Sequence, residues 1–359
     1  MKKRYANWLL TVIIVLFYSN LYPQKPVTFI DAQNKNVLYE GRIGFNNPGI
    51  AEIYWPGSAV AIKFRGTEVG VLMNEQHKGN YYNIIIDGDS INVLKTDTIK
   101  KTYLLASHLK EGEHTVRLYR RTGWNGVTSL YGFQLLPGAV MSVLKPKKRM
   151  IEFYGNSITV GSGMYGDNAP YGSENNYLSY GAVTARHFDA GFTCIARSGI
   201  GLMVSWFYMI MPDICRRQNP FDSNSVWDFT KATPGIVVIN LMQNDYAIFN
   251  NPEGPEFKKR FGTTVPTEDF IITSYRRFVK DIRSHYPEAN IICVLGSMDA
   301  VSPGSAWPGY IEKAVASVND KKIYTHFFPF KNTPGHPNVA EHQQMAESLI
   351  RFIDEHIKW

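Results

Sequence analysis

Met150-Ile151-Glu152-Phe153-Tyr154-Gly155-Asn156-Ser157-Ile158-Thr159 reads as a short apolar strand that stops abruptly in Gly-x-Ser. Such an ending puts the serine at a sharp turn over the edge of a sheet. If a helix follows, its free N–H groups and positive end favour negative charge near the serine oxygen. That suits a nucleophile whose attack creates an oxyanion. The stretch is not the Gly-x-Ser-x-Gly elbow, because its fifth position is Thr159. Taken alone, a serine here fits a helix N-cap better than a nucleophile.

Downstream, apolar runs recur at Phe192 to Ala196, Ile236 to Leu241, Ile291 to Leu295 and Ile323 to Phe328. Helical patterns lie between them. Asp269 to His285 carries Ile271, Ile272, Tyr275, Phe278, Val279 and Ile282 on one face. A final helix over Val339 to Ile357 has the stripe Val339, His342, Met345, Ala346, Leu349, Ile353 and Ile357. Alternating strands and helices predict a parallel sheet with helices on both faces. Functional groups then belong at the carboxyl ends of the strands.

Upstream, Lys145-Pro146-Lys147-Lys148 reads as a linker. Before it, from Val27 to about Met141, short strand patterns follow one another without a useful amphipathic helix. Asp87-Gly88-Asp89-Ser90 is a hairpin signal. This texture predicts a β-sandwich of jelly-roll type. The chain of 359 residues therefore divides into a sandwich over 27–142 and a catalytic domain over 149–359.

Residues 1–24 are expected to be an export signal. Lys2, Lys3 and Arg4 precede an apolar run from Trp8 to Tyr18 that is too short to span a bilayer. The cut is expected between Ser19 and Lys25, the mature protein is expected in the periplasm or outside the cell, and stable membrane insertion is not expected. Three of the 38 bases lie in that segment, which leaves a net charge near +4. With no dense basic run, nucleic acid is a poor partner. Cys194, Cys215 and Cys293 fit buried free thiols, since no metal-like spacing exists.

Three further blocks sit at strand ends. Arg197-Ser198-Gly199-Ile200-Gly201 offers a glycine whose backbone N–H can approach a substrate. Asn244-Asp245 offers an amide able to donate to an oxyanion, with Asp245 as a turn acid that positions Asn244. Gly335-His336-Pro337-Asn338 places His336 on a loop just before a capping box of Asn338 and Glu341, where it can act as a general base. His342 falls on the apolar stripe and reads as a partly buried packing histidine.

Ser157, Gly199, Asn244 and His336, in this order, resemble the blocks of the SGNH (GDSL-like) hydrolase family, whose sheet is flavodoxin-like. The whole chain resembles carbohydrate esterase family two, which joins a jelly-roll domain to an SGNH domain. Phe64-Arg65-Gly66-Thr67, Gly112-Glu113-His114-Thr115-Val116, Arg120-Arg121-Thr122 and Gly335-His336-Pro337-Asn338-Val339-Ala340 carry this likeness. It implies O-deacetylation of plant-type polysaccharide, preferably at primary hydroxyls, with no metal or organic cofactor. It makes Ser157 the nucleophile and His336 the base. Ser157, Gly199 and Asn244 then form the oxyanion hole. Three departures stand out. Asn156 replaces the usual Asp, Met242 replaces a Gly, and the positions that usually supply the triad acid are Thr333 and Pro334. The resemblance therefore implies a Ser-His dyad with a backbone carbonyl orienting the imidazole. Trp124, Trp206 and Tyr246 are the candidate sugar platforms. Two other readings remain open from the residues: a carbohydrate-binding protein with a decayed site, and a lipid esterase on the same fold.

Overall fold

Alternating burial along Thr128–Leu135 shows how the first half folds. Side chains of a strand point to opposite faces with a period of two, so every second residue enters the core. The phase slips at Gly132, where the register against Val69–Glu75 shifts. A Cβ there would meet the Ile30 carbonyl oxygen at 2.2 Å, so only glycine permits the bulge. The computed structural model describes residues 26–166 and 169–359; the expected export signal lies outside the described residues.

Two six-stranded antiparallel sheets form the sandwich. One runs Ile43–Gly44, Ala51–Ile53, Thr128–Leu135, Val69–Glu75, Lys101–Ala106, with Thr28–Asp31 added on Thr128–Leu135. The other runs Val140–Ser142, Ala59–Arg65, Glu113–Arg120, Tyr81–Ile86, Ser90–Lys95, with Leu38–Glu40 on Ala59–Arg65. Between them lie Ile62, Phe64, Val71, Met73, Val116 and Phe133. Each such side chain contributes about 1.5–3 kcal/mol. The Asp87-Gly88 signal is a hairpin, with both residues at positive φ. Thr28–Asp31, Leu38–Glu40 and Val140–Ser142 were not anticipated. They are three or four residues long and only partly buried, so they lack a periodic pattern.

The second half is a parallel sheet of five strands: β1 (Arg149–Gly155), β2 (Ala190–Ala196), β3 (Ile236–Asn240), β4 (Asn290–Leu295) and β5 (Ile323–Phe327). Their spatial order is β2-β1-β3-β4-β5, the flavodoxin-like order. β3 is buried along its whole length because helices cover both faces. The helix Glu268–His285 packs Ile271, Tyr275, Phe278, Val279 and Ile282 on one face. The final helix, Val339–His356, packs Met345, Ala346, Leu349 and Ile353 on the other. Asn338 and Glu341 form its capping box.

A buried seam fixes the two halves together. Arg42 is fully buried and reaches across to the Cys215 and Arg217 carbonyls (2.6 and 3.0 Å), to Glu152 (3.2 Å) and to the Tyr154 hydroxyl (3.0 Å). Trp55 donates to the Gln218 carbonyl, and Tyr119 donates to Asn176. All three cysteines are buried and free. Among the described residues no helix is long and apolar enough to cross a membrane.

Candidate active site

Ser157 is the first residue of a four-residue helix, Ser157–Val160, that follows β1 directly. Asn156 is its N-cap and accepts from the Ile158 N–H at 3.1 Å. A Cβ on Gly155 would stand 2.0 Å from the Thr159 hydroxyl oxygen, so the turn needs glycine. The N–H groups of Gly161 and Ser162 both donate to the Ser157 carbonyl. The serine is 7% exposed.

His336 stands between β5 and the final helix, and its Nε2 lies 2.8 Å from Ser157 Oγ. The ring rests on Gly163, where an added Cβ would come within 2.8 Å of His336 Cβ and 3.1 Å of Cγ. Gly163 also has a φ of +70°, so two constraints demand glycine there. Burial first, and the Lys331 charge second, hold the imidazole pKa below its usual 6.5, while Glu174 opposes them. The neutral, proton-accepting form is therefore favoured at neutral pH. A backbone carbonyl at Nδ1 was expected. Among the described residues none hydrogen-bonds this atom, and packing on Gly163 holds the ring instead.

Gly199 follows β2 at a φ of +82°. Among the described residues its N–H has no protein acceptor. The loop beyond it folds around Asp245, whose fully buried carboxylate accepts from the N–H groups of Leu202 (2.9 Å), Met203 (2.6 Å) and Val204 (3.1 Å). Burial raises this carboxyl's pKa, and the three N–H donors oppose the rise. Asp245 was expected to position Asn244; the structure gives it the Gly199 loop to hold instead. Asn244 serves the same loop, because its Nδ2 donates to the Ile200 carbonyl at 2.7 Å. Its Oδ1 accepts from the Trp206 indole at 3.0 Å. One of its two amide N–H groups stays without a protein partner among the described residues. Met242, just before, is fully buried at a φ of +81°. A left-handed backbone at a non-glycine costs about 1–2 kcal/mol, and the buried side chain offsets it.

Sequence reasoning missed a polar chain beside the dyad. Glu174 accepts from the Gly123 N–H of the sandwich (2.7 Å) and from Ser162 Oγ (2.8 Å). Ser162 Oγ in turn lies 2.6 Å from Ser198 Oγ, next to Gly199. Ser198 lies in the block already singled out for Gly199, but no motif marks Glu174 or Ser162.

Of the platform candidates, Trp206 is 48% exposed at the rim. Trp124 packs against Trp55 and Phe221, and Tyr246 packs against Trp307. His342 is fully rather than partly buried. It accepts from the Tyr180 N–H, and burial pushes its pKa down to about 3, so it is a neutral packing group. Among the described residues no group of three His, Cys, Asp or Glu side chains could hold a metal ion.

Comparison with known proteins agrees with this architecture. Residues 39–143 match the family described as carbohydrate esterase 2 N-terminal. The chain is 32% identical over 346 residues to the cellulase/esterase CelE of Acetivibrio thermocellus, covering 92% of this chain and 40% of that longer protein. An acetylxylan esterase / glucomannan deacetylase of Cellvibrio japonicus is 23% identical over 92% of this chain and 91% of its own length. The structure of an active-site mutant of a family two carbohydrate esterase from Clostridium thermocellum superposes with a TM-score of 0.80. It is 31% identical, and the match covers 91% of this chain and all of that one. With a jelly-roll sandwich ahead of an SGNH-type parallel sheet and this likeness along nearly its whole length, the chain belongs to carbohydrate esterase family two and is an ester hydrolase.

Proposed function

We propose that the protein removes acetyl groups from carbohydrate hydroxyls through a Ser157–His336 dyad. The observation that carries this reading is the 2.8 Å contact between His336 Nε2 and Ser157 Oγ, which is within reach for proton transfer. His336 takes the hydroxyl proton as Ser157 attacks the acetyl carbonyl. The oxyanion forms against the N–H of Ser157, the N–H of Gly199 and the second N–H of Asn244. His336 then gives its proton to the departing sugar oxygen. Water activated by the same imidazole clears the acetyl-enzyme. No carboxylate hydrogen-bonds the imidazolium among the described residues. Glu174 stabilises it through space, since its charge acts on His336.

The relatives named as acetylxylan esterase and glucomannan deacetylase make acetylated xylan and glucomannan the first substrates to try. Trp206, exposed and tied to Asn244, is the platform for the acetylated sugar. The reading includes export directed by residues 1–24. N-terminal sequencing of the protein outside the cytoplasm should find a start between residues 20 and 25.

Ser157→Ala should abolish hydrolysis of an aryl acetate while circular dichroism stays unchanged. Retained activity would remove Ser157 as the nucleophile.

A further inference from the structure

Beside Gly199 the two halves of the molecule enclose a cleft of about 480 Å³. Tyr81, Gly123 and Trp124 line it from the sandwich, and Glu174, Arg197 and Ser198 line it from the parallel-sheet half. Neither Ser157 nor His336 belongs to this lining, so the cleft adjoins the reacting centre rather than containing it.

Arg197 lies in this wall against two aromatic rings. Its guanidinium carbon lies 3.5 Å from the Phe207 ring centroid and 4.4 Å from that of Trp124. Two aromatic faces can orient a guanidinium, but they leave its in-plane N–H donors unpaired. Among the described residues no carboxylate pairs with Arg197, and its buried Nη1 has no hydrogen-bond partner. Burial pushes its pKa below the usual value. The fully buried arginines, Arg42 and Arg120, also leave Nε unpaired among the described residues, but their terminal nitrogens meet protein acceptors. Arg42 reaches two carbonyls, a carboxylate and a hydroxyl. Arg120 reaches the carbonyls of Ile53, Gly123 and Gly126. A second donor in the cleft lining, Trp124 Nε1, is also without a partner. Among the described residues the one carboxylate in this lining, Glu174, already accepts from Gly123 and Ser162. Neither Arg197 Nη1 nor Trp124 Nε1 is open to solvent, so a ligand would meet the exposed edge of the half-buried Arg197 guanidinium, which has no protein acceptor among the described residues and leaves this wall short of an anion.

We infer that this cleft binds a carboxylate-bearing sugar residue, a uronate, of the glycan whose neighbouring residue carries the acetyl group, with Arg197 as the carboxylate receptor. The ligand class follows from geometry. The planar N–H fork of arginine matches a carboxylate in two parallel hydrogen bonds, and a hydroxyl would leave the positive charge unanswered. The inference rests on the acetyl esterase reading and narrows it to acidic glycans.

The test compares an acetylated xylan carrying glucuronosyl groups with the same polymer after reduction of its carboxyls. Wild type should show kcat/KM for acetate release about tenfold or more higher on the acidic polymer, the size expected of one charge-assisted pair. Arg197→Met should bring the ratio near one, and Arg197→Lys should keep part of it. A wild-type ratio near one, or a ratio unmoved by Arg197→Met, would overturn the inference and leave Arg197 as a clamp between the halves. If Arg197→Met does not fold, calorimetry on wild type supplies the answer. Free glucuronate should bind more tightly than glucose, and added salt should weaken the difference; equal affinities overturn the idea. If neither polymer releases acetate, the esterase reading fails on its own. The subsite is then read by calorimetric binding of deacetylated acidic and carboxyl-reduced fragments, where equal affinities reject it.

Discussion

Two arginines stand at the join between the sandwich and the parallel sheet, and their surroundings differ. Around Arg42 the join is closed: the guanidinium is fully buried, its two terminal nitrogens meet protein acceptors, and the Tyr154 and Tyr286 hydroxyls donate to the same Glu152 oxygen, although Arg42 Nε and Glu152 Oε2 have no partner among the described residues. Around Arg197 it is open: the guanidinium lies against rings from the two halves and among the described residues meets no acceptor. Both positions hold a cation, but among the described residues only the first has a carboxylate partner. The difference separates a contact that holds the halves together from one arranged around something that comes from outside. The dyad, the Gly199 loop and the Glu174 chain all lie on the open side.

The sharpest break in this comparison comes from Ser157→Ala. It should cost about 10⁵–10⁶-fold in kcat, the scale seen when a serine nucleophile is removed, and leave the melting temperature unchanged. The converse comes from the closed join. Arg42→Met leaves Glu152 buried and uncompensated, so unfolding in denaturant should show a loss of about 3–5 kcal/mol. A loss under about 1 kcal/mol would show that the closed join contributes little. Asn244→Ala acts on the open side through both the amide donor and the Ile200 tether, and kcat should fall by about 10²–10³. A change in KM alone would place Asn244 in substrate binding only.

The smallest effect concerns protonation. His336 must be neutral to accept the serine proton, so kcat/KM should rise with pH through a midpoint below 6.5. Lys331 and Glu174 are the titratable groups that act on it. Glu174→Gln removes the negative charge that favours imidazolium, so the midpoint should move to lower pH while the plateau rate falls. Lys331→Met should move it upward. A midpoint unmoved by either substitution would make the polar chain through Glu174 purely structural.

The periodic elements were legible because their cause is local. The helix expected over Asp269 to His285 and the strand expected over Ile291 to Leu295 each begin one residue earlier than their patterns and end where the patterns do. The final helix stops at His356, one residue short of the expected end, because its last turn frays into extended backbone at Ile357. Short edge strands escaped for want of pattern. The motif residues were also readable: a glycine-flanked serine after one strand and a histidine before a capped helix declare their places by their neighbours. The carbonyl expected at the imidazole was not found, because the likeness to other chains carried no information about what packs beneath this one.

The sequence by itself therefore determined the two architectures, the parallel order of strands that brings their carboxyl ends to one rim, and the four residues displayed there. Tertiary structure alone decided how those residues are held. It placed Gly163 beneath the imidazole, turned Asp245 onto the backbone of Leu202 to Val204, and set Arg42 against Glu152 across 110 positions of chain. The physical reason is range. Hydrophobic periodicity and turn chemistry are fixed by neighbours along the chain, whereas buried polar groups take whichever partners the folded chain brings within about 3 Å, and no local pattern records which those are.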